Sequence, residues 1–182
     1  GGNYGSSAFY RCQFLRNVKT VLASASVNGS FYNCLFYGTQ SGTYSIYNTG
    51  KLVNCTFTGT TGMSDHNSNR RAINCLILQG FNTINGTYEN CCFGYSGGKP
   101  DETRCDDRCR FADSPSAFPL LADYAPSRRS PCYNACTDYE AYVAEFPEAF
   151  RSEAALDVYG RPRIGAGETA FDIGCVERDP AI

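Results

Sequence analysis

Asp65, His66, Arg70 and Arg71 are the side chains whose types and spacing most readily suggest chemistry. His66 is the only histidine, Asp65 adjoins it, and two arginines follow at once. A polysaccharide lyase needs a base near a sugar ring proton and a cation to neutralise the uronate, and this group supplies both. It stands in the polar run from Gly62 to Arg71, but neither acid nor base recurs at a matching place in neighbouring segments. The run therefore reads as a solvated loop that meets a partner, and no residue is assigned a catalytic role.

Paired carboxylates are nearly missing from the same half of the chain. Glycoside hydrolysis needs two acids about 5 to 10 Å apart across a cleft, and the first 95 residues hold only Asp65 and Glu89. Asp101, Glu102, Asp106 and Asp107 are interleaved with Arg104, Arg108 and Arg110, which favours a salt-bridged loop over a calcium or substrate site.

Thiols are the other reactive class. Five of the eleven cysteines, Cys12, Cys34, Cys55, Cys75 and Cys91, recur in short phrases such as Tyr32-Asn33-Cys34-Leu35-Phe36 and Val53-Asn54-Cys55-Thr56-Phe57. Their intervals of 22, 21, 20 and 16 residues form a structural period rather than a metal spacing. The other six, Cys92, Cys105, Cys109, Cys132, Cys136 and Cys175, are even in number and lie in the second half. Three disulfides among them, with 15 possible connectivities, are expected. Zinc is disfavoured, because the pairs Cys105/Cys109 and Cys132/Cys136 are four apart rather than two and no histidine joins them. No cofactor motif is found.

The elements that position these groups follow from the period. Apolar residues two before the cysteine, the cysteine itself and the residue two after it alternate, so they are expected on one inward face of a strand. A short strand every twenty or so residues, with room for two more per repeat, is one coil of a solenoid. Gly29, Gly50 and Gly86, each five before a ladder cysteine, are expected at tight corners. In-register cysteines of parallel coils sit about 4.8 Å apart, too far for the 3.5 to 4.5 Å Cβ separation of a disulfide, so the ladder is expected to be free thiols. Phe14, Phe36, Phe57 and Phe93 should stack beside it.

The expected fold is all-β: a right-handed parallel β-helix of about four to six coils over residues 1–95, then an irregular, disulfide-stapled C-terminal cap over 96–182, in one structural domain. One helix is expected between Asp138 and Arg151, interrupted by Pro147. Sixteen basic against 18 acidic residues argue against a nucleic-acid surface, and no apolar run reaches the roughly 20 residues of a membrane span. The chain opens inside a repeat, so an upstream segment or another protein chain is expected to cover the first coil.

The end of the chain carries a resemblance. Asp157-Val158-Tyr159-Gly160-Arg161-Pro162-Arg163, then Phe171-Asp172-Ile173-Gly174-Cys175-Val176-Glu177, with Phe111-Ala112-Asp113 and Ser130-Pro131-Cys132-Tyr133-Asn134-Ala135-Cys136, resembles bacterial secreted right-handed parallel β-helix proteins of the pectate-lyase-like superfamily, of the choice-of-anchor Q type. Cys136 stands where that family usually has Gly and Cys175 where it has Ala, which suggests an extra bridge between the two. The resemblance implies a secreted or cell-surface location and no particular reaction.

Asp157, Arg161, Arg163, Asp172 and Glu177 match family positions and are read as structural groups of the cap. Exposed tyrosines, among them Tyr4, Tyr37, Tyr44 and Tyr47, suit stacking on sugars or docking a protein. The sequons at Asn28, Asn54 and Asn85 coincide with turn positions. The expected function is an extracellular or cell-surface β-helical scaffold or binding module within a larger protein or assembly, with polysaccharide as a candidate ligand. The alternative is the C-terminal part of a carbohydrate-active enzyme, a lyase or glycoside hydrolase.

Overall fold

The computed structural model describes residues 7–16, 29–38, 46–47, 49–59, 63–64, 71–78, 81–82, 86–94, 100–164 and 168–178. Its backbone is mostly parallel β-structure. Strands β1 (Ala8–Tyr10), β3 (Gly29–Tyr32), β6 (Thr49–Val53), β9 (Arg71–Ile73) and β12 (Thr87–Glu89) form one sheet in that order. A second sheet runs β2 (Gln13–Leu15), β4 (Leu35–Tyr37), β7 (Thr56–Thr58), β10 (Leu76–Ile77), β13 (Cys92–Phe93) and β14 (Arg110–Phe111). A third holds β5 (Ile46–Tyr47), β8 (Met63–Ser64) and β11 (Phe81–Asn82). From β3 to β11 the chain visits the three sheets in strict rotation, and every named strand pairs in parallel with its counterpart from the next round.

Each cysteine phrase is two strands rather than one, and this corrects the expected face assignment. Arg11, Asn33, Asn54, Asn74 and Asn90, the residues just before the ladder cysteines, take φ between 49° and 54°. A left-handed residue turns the chain through a corner, and Asn tolerates that region better than other non-glycine residues. Alternation restarts across the corner. The residue three before the cysteine (Phe31, Leu52, Ala72, Tyr88), the cysteine, and the residue two after it (Phe36, Phe57, Ile77, Phe93) share one interior cluster. The residue two before it (Tyr32, Val53, Ile73) instead faces a second cluster built with the C-terminal half. Glu89, which the single-strand register would have buried, therefore stands on the outer face, partly exposed.

The glycines move as well. Gly29 and Gly50 lie inside β3 and β6, where the pairing shifts register between Gly29 and Phe31, and among the described residues before residue 100 the left-handed glycines are Gly38 and Gly59, four residues after a ladder cysteine. The phenylalanine column forms, with Phe14–Phe36 and Phe36–Phe57 stacked at 4.7 and 4.5 Å and Phe93 stacked on Phe111 at 5.2 Å; Ile77 separates the two stacks.

The segment after β14 is irregular and packs on the outside of the first two sheets. Phe118, Cys132, Cys136, Tyr142, Phe146, Phe171 and Ile173 cover Tyr32, Val53, Ile73, Leu76 and Cys92. Its helix α1 (Tyr139–Ala144) is shorter than the expected span. Asp138 caps it by accepting from the Ala141 N–H at 2.9 Å, Pro147 ends it, and Glu148–Ala155 continues as a 3₁₀ helix.

All eleven cysteines are free thiols, so the expected disulfides among Cys92, Cys105, Cys109, Cys132, Cys136 and Cys175 are not formed. Three of these sites have clear structural reasons. Cys109 is a sixth rung of the ladder, its Sγ accepting from the Cys91 N–H at 3.4 Å, as Cys91 Sγ accepts from Cys75 and Cys75 Sγ from Cys55. Cys136 and Cys175, the pair suggested for an extra bridge, belong to separate apolar clusters.

Candidate functional site

Between the outer face of the first sheet and α1 lies a small open cleft of about 80 Å³. Arg71, Glu89 and Arg108 line it from the strand side, Asp138, Tyr142 and Glu145 from the helix side. Arg71 and Glu89 share the outward face of the paired strands β9 and β12 but stand two residues apart in register, since Arg71 pairs with Thr87 and Glu89 with Ile73. The helix then brings in a residue 74 positions away.

Arg71 is the hub. Its Nε and Nη2 donate to the two oxygens of Glu89 at 2.6 and 2.8 Å, and its Nη1 donates to Glu145 at 2.7 Å. Lys51 donates to the other Glu145 oxygen at 2.8 Å, so a four-residue chain of alternating charge ties β6, β9 and β12 to α1. Hydrogen bonding to Glu89 raises Arg71 further above its ordinary value, and the charge of Glu145 adds to this against a cost of burial. A bidentate fork of this kind matches carboxylate geometry well. The arrangement holds the cap, and it leaves Arg71 engaged rather than free to meet a uronate.

Asp65, His66 and Arg70 lie outside the described residues, so the structure brings only Arg71 of the expected partner loop to a defined place. Of the sequons, Asn54 is fully buried, so glycosylation there is incompatible with the fold; Asn28 and Asn85 fall outside the described residues, as do Tyr4 and Tyr44. Tyr37 is half-buried and stacks at a tilt on Tyr124 with ring centroids 5.0 Å apart.

Behind the cleft is a buried charged cluster built from the residues of the C-terminal motifs. Arg163, with no exposed surface, donates to Asn33 Oδ1 at 3.0 Å, to the Gly174 carbonyl at 2.8 Å and to Glu177 at 3.3 Å. Asp157 accepts from the backbone N–H groups of Tyr159, Arg161 and Glu177 and from Arg161 Nε. Asp172 accepts from the Asn134 and Arg178 N–H groups at 2.7 and 2.9 Å. Every acid in the cluster is thus spent on backbone donors or arginines. These groups satisfy an irregular segment that has no sheet of its own.

Burial pushes the Glu177 carboxyl up to about 8 against the pull of Arg163, and Asp172 up to about 6 against its two N–H donors. For Arg163, burial opposes the charge, but Tyr142 and Glu177 outweigh it and hold the guanidinium above its ordinary value. Burial likewise raises Cys55 and Cys91 well above the usual thiol range. Burial opposes ionisation of Cys34 and Cys75 as well, but hydrogen bonds from their neighbours in the column pull both down, so the direction of the shift alternates along the ladder.

Sequence reasoning passed over the asparagine column. Asn33 donates to the Glu153 and Leu156 carbonyls, and Asn90 donates to Asn74 Oδ1, the Ala135 carbonyl and Cys136 Sγ. Its signal was present in the recurrence of Asn before four of the five ladder cysteines. Asn54 is the exception, with both amide atoms buried and unpartnered among the described residues. Among the described residues no group of three or more His, Cys, Asp or Glu could hold a metal ion, and no helix is long and apolar enough to cross a membrane.

Comparison of the chain with protein-family models, with curated proteins and with solved structures found no match.

Proposed function

We propose that this chain is a right-handed parallel β-helix, secreted or displayed at a cell surface, that serves as a scaffold or binding module within a larger protein or assembly. The strict rotation of the chain through three parallel sheets, with the in-register cysteine and phenylalanine columns, supports the coil reading. The observation that carries the functional reading is the state of Glu89. It is the one described acid of residues 1–95, and it is locked in a two-point ion pair with Arg71. A catalytic carboxylate must be free to take or give a proton, and this one is used to fasten the cap.

A scaffold needs rigidity along its axis and an outer face left for a ligand. The stacked interior provides the first. Polysaccharide, which suits long flat solenoid faces, is the ligand class to test. The purified chain should bind members of a glycan array without changing them. Release of unsaturated uronate or reducing ends from any of those glycans by the chain would overturn the scaffold reading in favour of an enzyme.

A further inference from the structure

The eleven thiols fall into two geometries. Cys12, Cys34, Cys55, Cys75, Cys91 and Cys109 repeat at equivalent places of parallel strands, where the strand spacing of about 4.8 Å holds their Cβ atoms beyond disulfide reach. Cys92 is different. It follows Cys91 directly, so it points to the opposite, outer face of β13, into the apolar cluster shared with the cap. Cys132 reaches the same cluster from the cap, in the turn after Ser130, with its carbonyl held by the Ile173 N–H at 2.9 Å. Both residues are fully buried in that one cluster, where burial first and the neighbouring Cys92 thiol second raise the Cys132 thiol above its ordinary value. The nearby Cys136 thiol is already engaged, accepting from Asn90 Nδ2 at 3.4 Å, and Cys175 packs in another cluster with Leu35 and Val176.

We infer that Cys92 and Cys132 are a redox-closable pair, which on oxidation forms a disulfide fastening the cap to the outer face of β13. The oxidant is a small-molecule disulfide of the glutathione class. One protein thiolate attacks it, forming a mixed disulfide and releasing one glutathione thiol. The second protein thiolate attacks the protein sulfur of that mixed disulfide and releases the other glutathione thiol. Two protein thiols lose two protons and two electrons, and the glutathione disulfide takes them up as two thiols. Because both sulfurs are buried, the exchange belongs to the state in which the cap is undocked, and docking then brings the sulfurs together. The bond would close residues 92–132 into a ring and remove freedom from the unfolded chain.

The test is refolding of the full chain in a glutathione redox buffer, then alkylation, digestion with trypsin without reduction, and mass mapping. The expected product links the peptide 72–104, which holds Cys92, to the peptide 130–151, which holds Cys132. The link should vanish in C92A and in C132A and persist in C91A and C136A, and the oxidised protein should unfold at higher urea than the reduced one. Refolded protein with native circular dichroism and no such link overturns the inference. So does a link that survives C92A or C132A. Because the mapping is done first on the unaltered chain, misfolding of a variant does not decide the result, and neither outcome depends on whether the chain binds glycans.

Discussion

Arg163 Nη2 lies 3.0 Å from Asn33 Oδ1, a hydrogen bond between residues 130 positions apart in the chain. It joins the last motif of the cap to the first asparagine corner of the described column, and Tyr142 of α1 donates to the same oxygen at 2.9 Å. One amide thereby serves three elements, because its nitrogen also holds the two carbonyls at the end of the 3₁₀ helix, Glu153 and Leu156. Asn33 takes a left-handed φ of 53°, and its side chain meets only groups of the C-terminal half.

Replacing Asn33 separates these two roles. Asn33→Gly keeps the left-handed corner and removes the amide, so that Tyr142 is left with the Ala154 carbonyl, Arg163 Nη2 with the Gly174 carbonyl, and the Glu153 and Leu156 carbonyls lose the Asn33 donor. Losing buried partners of this kind should lower the unfolding free energy by at least about 2 kcal/mol. Asn33→Ala should cost about 1 kcal/mol more, since the corner then carries a strained Cβ. Urea unfolding of the two variants beside the unaltered protein measures both steps, and equal stability of N33G and the unaltered chain would show that the latch contributes nothing.

The cap should respond to pH through Glu177 and Asp172. Both have folded values raised by burial, to about 8 and about 6, above their ordinary 4.5 and 3.8. Over that interval the folded state holds protons that the unfolded state has released, so stability is fully present below the ordinary values and declines as pH rises toward 8. The urea midpoint should fall between pH 5 and pH 8. Glu177→Gln, which fixes the neutral form, should flatten most of the fall above pH 6. A midpoint that rises instead would mean that Arg163 and the Asp172 N–H keep Glu177 ionised throughout.

The period of the parallel strands was legible because burial is repetitive: a small thiol returns in every repeat of the interior cluster and a phenyl ring in most. Which residues face inward was not, since a single left-handed Asn resets the alternation and the pattern of apolar residues carries no mark of that corner. Cys109 was misplaced for a related reason. Its phrase, Arg108-Cys109-Arg110-Phe111, has arginine where four of the others have asparagine and a second arginine where the others have an uncharged residue, yet it keeps the spacing from cysteine to phenylalanine. The C-terminal charged motifs were legible as structural groups, because residues at the turns of an irregular cap must satisfy its backbone. The partner of Arg71 could not be read at all: Glu145 meets it only through the docking of α1, and nothing local to either residue announces that contact.

The ion-pair chain at the cleft should matter little for stability. The Arg71 side chain is 40% exposed and that of Lys51 32%, so water and salt screen both ends of the chain, and Glu145→Gln should cost under about 1 kcal/mol in low salt and less in high salt.

The sharper contrast lies inside the ladder. Cys55 is fully buried, flanked in the column by Cys34 and Cys75, with its thiol directed at the Phe31 and Val53 carbonyls at 3.4 Å. Cys55→Ala removes a small group from a tight stack and should cost about 1 to 2 kcal/mol. Cys55→Asp puts a carboxylate among carbonyl oxygens and aromatic rings, where neither water nor a cation can reach it, so the fold should be lost rather than weakened. Circular dichroism distinguishes the two results. Native-state alkylation gives an independent check, because buried, uncharged Cys55 should react far more slowly than the half-exposed Cys12 at the edge of the column. Equal labelling of Cys55 and Cys12 in the folded chain would contradict an enclosed thiol column.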